Sequence, residues 1–189
     1  GRLSKSFQET VLALSELPLL LKLMSVCPLA DLELEAIFTT IRSSLLASVS
    51  EATGNSDLLS FKSALALQCF TNEYIYNQSD ADTRAIQRLE DIVEKILSDG
   101  KQPSPQSVLC LASFKALNKY EWCDRLAITS ETEEVLKRQI IEPKQEACLK
   151  PDISALEKIT DKVSSKVREQ YEESPYPRWV NLRLRSKPV

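Results

Sequence analysis

With 189 residues, 43% of them hydrophobic, the chain is long enough for one domain, or at most two, with a proper core. A formal charge of −3, carried as mixed signs along the chain, gives no global attraction to nucleic acid or to an anionic membrane. The lack of any histidine excludes a histidine base, a histidine-dependent triad and a histidine-ligated zinc. Gly1, Gly54 and Gly100 are the only glycines, too few for a phosphate-cradling loop, and with little β-branched alternation they point to helices.

Cysteines 27, 69, 110, 123 and 148 stand at long spacings with no CxxC pair, each in or beside an apolar helical stretch, and are expected as buried free thiols. No apolar run reaches the roughly 18 to 20 residues of a membrane span, and nothing resembles a signal peptide, so a cytoplasmic protein is expected. Gly1 in place of an initiator Met reads as a scar, and the chain as part of something longer.

In chain order, Leu3 to Val26 holds two apolar segments, with Pro18 suited to the first turn of the second. Asp31 is placed to cap a helix whose Leu34, Ile37, Phe38, Ile41, Leu45 and Val49 follow a core-facing stripe. Glu51 to Asp57, with Gly54-Asn55, reads as a loop. Leu58 to Asn77 reads as one buried helix with Leu58, Phe61, Leu65 and Cys69 on a face. Its second half turns polar at Gln68, Asn72 and Glu73, beside Phe70, Tyr74 and Tyr76. Such groups must be hydrogen-bonded or solvated, since leaving one buried and unpaired costs about 1–3 kcal/mol. They are either an anchor that clamps a neighbouring element or the lining of a ligand groove formed by Gln68, Asn72, Glu73 and Tyr76.

Ser79 with Asp82 spells a capping box ahead of Ile86, Leu89, Val93 and Ile96, and Gly100 supplies the stop. Ser104 and Pro105 open a helix expected to contain Val108, Leu111, Ala112 and Leu117. Tyr120 and Trp122 read as a packed turn. Ser130 and Glu133 spell a second capping box before Leu136, Gln139 and Ile140, and Pro143 is expected to kink or end that helix. Pro151 separates a short Lys144 to Leu149 turn from a final helix striped by Ile159, Val163, Val167 and Tyr171. Adjacent acidic pairs such as Glu133-Glu134 and Glu172-Glu173 point different ways on a helix and read as solvated faces. No fixed-period repeat runs through the chain.

The final helix runs into Ser174-Pro175-Tyr176-Pro177-Arg178-Trp179, where the two prolines enforce a stiff extended segment that is either a packed aromatic cap or a device presenting rings to a partner. The whole run, Val167 to Trp179 or VREQYEESPYPRW, closely resembles a segment of large bacterial proteins that join tetratricopeptide repeats to a class I S-adenosylmethionine (SAM) dependent methyltransferase domain. In that family it resembles the junction just before the methyltransferase. Leu19 to Leu23, Asp31 to Leu46, Ala64 to Tyr74 and Gln139 to Pro143 extend the resemblance over nearly the whole chain. The family tends to carry a Tyr-x-Pro-Leu element where this chain has Ser113-Phe114-Lys115-Ala116-Leu117. After Trp179, Val180, Leu182 and Leu184 alternate with Asn181, Arg183 and Arg185, which suggests either a short extended strand whose partner lies in a following domain or another copy, or a frayed tail.

The expected architecture is thus all-α: an irregular bundle of about seven to eight helices over residues 1–173, followed by an aromatic and proline junction with an extended tail over residues 174–189. The glycine-rich turn that lets a methyltransferase backbone approach its cofactor is missing, so no catalytic, cofactor-binding or metal-binding residues are expected here. The resemblance implies a helical accessory region that recruits substrate or docks on its own C-terminal catalytic domain, with SAM bound downstream. Tyr171, Tyr176, Arg178 and Trp179 would make that contact, Arg178 pairing with a carboxylate while Trp179 fills a pocket. A protein substrate and a homodimer partner are the other expected contacts. Two alternatives stay open: a stand-alone protein-interaction module, and a small-ligand-binding helical bundle using the Gln68, Asn72 and Glu73 cluster.

Overall fold

A computed structural model describes residues 2–49, 58–152 and 161–173. Their regular structure is helical, with no strand among them, as an all-α bundle requires. The chain divides into two compact units, residues 1–144 and 145–189.

In the first unit, α1 (Arg2–Ser15) turns directly into α2 (Pro18–Val26), and Pro18 opens α2 where its missing N–H removes no intrahelical bond. Asp31 caps α3 (Leu32–Ser48), its Oδ1 accepting from the N–H groups of Glu33 and Leu34 at 3.0 and 2.9 Å. The next helix, α4 (Leu59–Thr71), exposes Ser60 in its first turn but is buried all round beyond it: every side chain from Ala64 to Thr71 is buried. A helix buried all round belongs in the interior. It divides the core, with Ala66 and Leu67 packed among Ile86, Val93, Leu109, Leu111 and Leu136. Its other face presents Phe61, Leu65 and Cys69 to Val11, Met24, Phe38 and Ile41. Met24, Phe38 and Phe61 are completely removed from water, worth about 1.5–3 kcal/mol each.

The capping box forms at the start of α5 (Asp80–Ser98): Asp82 N–H donates to Ser79 Oγ at 3.1 Å, and Ser79 N–H donates to Asp82 Oδ2 at 3.0 Å. Gly100, at φ +72°, closes α5 in a Schellman turn, with Lys101 N–H on the carbonyl of Ile96 and Gly100 N–H on that of Leu97. Ser104 caps α6 (Pro105–Ala112) through the N–H of Ser107. Beyond it lie 3-10 turns at Leu117–Lys119 and Cys123–Arg125, then the short α7 (Glu133–Leu136). A π turn at Lys137–Ile141 leads into α8 (Glu142–Leu149), which straddles the boundary between the units. The second unit contains a 3-10 turn at Lys150–Asp152 and α9 (Lys162–Glu173).

Several expectations need correction. The helix expected over Leu58–Asn77 ends at Thr71. Tyr74 N–H returns to the carbonyl of Cys69 at 2.8 Å and Glu73 N–H to that of Phe70 at 3.3 Å. That is the same Schellman closure as at Gly100, made here without glycine: Glu73 and Tyr74 both stand at φ 58°. Leu117 falls in a 3-10 turn rather than in α6, which stops at Ala112. The Ser130–Glu133 capping box does not form, because Thr129 and Thr132 close a turn on themselves and Thr132 takes the cap position without a side-chain bond. Ser130 Oγ donates to Glu131 instead. Pro143 does not end the helical path: it is the second residue of α8, directly after the π turn in which Glu142 N–H reaches back five residues to Lys137. Of the five thiols expected to be buried, Cys27 is only half-buried and Cys148 is exposed, since α8 buries none of its side chains. The loop at Glu51 to Asp57, Ile159, and the strand expected at Val180 to Leu184 lie outside the described residues.

Candidate functional site

The polar residues singled out on α4 converge on a buried hub between α2, α3, α4 and the segment after α4. Gln68 is fully buried on the side facing α2, and its amide spans the end of that helix. With the amide assigned the orientation that satisfies both of its ends, its NH2 donates to the carbonyls of Met24 and Cys27 at 3.0 Å each, and its oxygen accepts from Leu29 N–H at 2.9 Å. Asn72 is the C-cap of α4, and its Oδ1 accepts from Tyr74 N–H at 3.1 Å, reinforcing the left-handed turn. Glu73 is half-buried at the bend itself. Tyr76 is buried, with its ring 6.5 Å from that of Phe38, and burial pushes its hydroxyl up to about 12.

The centre of the hub is a residue that periodicity alone passes over. Arg42 lies on the stripe of Phe38, Ile41 and Leu45 and is only 1% exposed. Its guanidinium donates to the carbonyls of Tyr76 and Asn77 at 2.9 Å and of Ser113 at 3.2 Å. It also stacks on Phe114, 4.3 Å from the ring centroid, and lies 5.7 Å from that of Tyr76. The charge is therefore spent on backbone carbonyls at two separate chain reversals. An arginine in register with an apolar stripe is the signal that could have revealed it. Asp82 stands nearby, reached through Ser43 Oγ at 3.1 Å. Burial alone would raise its carboxyl, but hydrogen bonds from Ser79 and Ser43 outweigh it and hold the group below the ordinary value.

Two further buried polar residues clamp the last helices of the first unit against α4. Gln139, fully buried in the π turn, accepts from Leu117 N–H at 3.1 Å. Its amide donates to the carbonyls of Ala66 and Ala112 at 3.3 and 3.0 Å. Arg138 donates to the Ser25 carbonyl and, at 3.1 Å, to Thr71 Oγ1. The π turn thus places two adjacent side chains, Arg138 and Gln139, onto different partners in the same wall. At the far end of the first unit Tyr120 and Trp122 stack with centroids 4.4 Å apart, and Tyr120 donates to Glu90 at 2.7 Å.

Space for a ligand lies elsewhere. An open cleft of about 580 Å3 runs between α2 and α4, floored by Leu21, Leu59, Ala64 and Leu67 and rimmed by Lys22, Glu131 and Glu134. Gln68, Asn72, Glu73 and Tyr76 do not line it. Among the residues assigned to domain contact, Tyr171 is 60% exposed on α9, as are most of Val163 and nearly half of Val167 on the same stripe. Tyr176, Arg178 and Trp179 lie outside the described residues.

The chemistry available is limited. Burial raises the thiols of Cys69 and Cys110 to about 12, so neither is a nucleophile near neutral pH. No cluster of three or more His, Cys, Asp or Glu able to hold a metal occurs among the described residues. No helix among them is long and apolar enough to cross a membrane. No family model matches the chain, and comparison with curated proteins and with solved structures returns no match either.

Proposed function

We propose that this chain is a helical accessory region that precedes a class I SAM-dependent methyltransferase domain, acts in the cytoplasm and is not catalytic by itself. The observation that carries the reading is the VREQYEESPYPRW run at residues 167–179, with its resemblance to the junction before such domains. Its work is to dock on the catalytic domain and to recruit or orient the substrate. The exposed Val163, Val167 and Tyr171 stripe leading into that run supports a contact role, because an amphipathic helix otherwise buries such a face. The bonds from the Gln68 amide, Asn72 Oδ1 and the two terminal nitrogens of Arg42 to backbone groups support a scaffold rather than a reaction centre.

Calorimetric titration of SAM into this 189-residue chain, and into a parent protein extended past Val189, tests the proposal. Heat from the extended protein alone is the expected result. Binding to the 189-residue chain would overturn it and direct attention to the cleft between α2 and α4.

A further inference from the structure

We draw no further inference here: the strongest candidate, the open cleft of about 580 Å3 between α2 and α4 with its rim of Lys22, Glu131 and Glu134, carries nothing because nothing in the structure shows what covers its apolar floor.

Discussion

Replacing Arg42 with Met tests whether the hub holds the first unit together. Methionine keeps much of the stem volume but removes the guanidinium and its bonds to three carbonyls. The Asn77 bond is only part-buried, so that carbonyl can turn to water. Those of Ser113 and Tyr76 are buried, and each costs about 1–3 kcal/mol when left unpaired. Loss of the stacking on Phe114 adds about 0.5–2 kcal/mol. Relief from burying a cation acts in the opposite direction. Swapping whole buried ion clusters for apolar side chains is often neutral, but there all the polar partners leave together, whereas here the carbonyls remain. The net expectation is a loss of about 3 kcal/mol, toward the lower end of two unpaired carbonyls plus the lost stacking because relief from burying the cation offsets part of it. Urea denaturation followed by circular dichroism should show the midpoint falling by about 1.5 M if the slope is about 2 kcal/mol/M. Arg42→Lys, whose single ammonium cannot span both reversals, should lose at least half as much. A loss under about 1 kcal/mol for Arg42→Met, or a gain, would refute the assignment of Arg42 as the anchor.

Three other outcomes are expected. Asp82 has a native pKa held below its ordinary value, so its contribution to stability is present above that value and is lost as pH falls through the lowered native pKa. Asp82→Asn should therefore flatten the acid limb of a stability-versus-pH curve below about pH 4 and cost about 1 kcal/mol at neutral pH through the weakened cap; an unchanged acid limb would contradict this. Timed alkylation read by mass spectrometry should label Cys148 within the first interval, while Cys69 and Cys110 react only when the protein unfolds. Early labelling of Cys69 would mean the hub opens locally. Trp179→Ala in the extended protein should weaken docking of the catalytic domain several-fold with unchanged helical content, and undiminished docking would remove the junction from the proposed contact.

What the sequence determined by itself was the local grammar. Asp31, Ser79 with Asp82, and Ser104 with Pro105 each start a helix because the chemistry of a cap is completed within three residues. Gly100 ends one for the same reason, since its left-handed turn closes against Ile96 and Leu97. The all-α class followed from apolar spacing together with scarce glycine and little β-branched alternation. Tertiary structure decided where local signals competed or partners lay far away. The stop at Thr71 needs Glu73 and Tyr74 at positive φ, a conformation without glycine's permissiveness, held by contacts with Cys69, Asn72 and, through the Tyr74 hydroxyl, Ala112. Ser130 and Glu133 have the spacing of a box, yet the competing turn of Thr129 and Thr132 occupies the same backbone.

The hub shows the same division most plainly. That Gln68 and Asn72 sit on an apolar helix and must find partners was legible residue by residue. Which partners they find was not, because Gln68 bonds the end of α2 about forty residues earlier and Arg42 reaches Ser113 across 71 positions. No periodicity encodes a bond between residues that far apart. It exists only because the buried second half of α4 draws α2, α3 and α6 around itself, leaving backbone carbonyls inside that a buried amide and a guanidinium must satisfy.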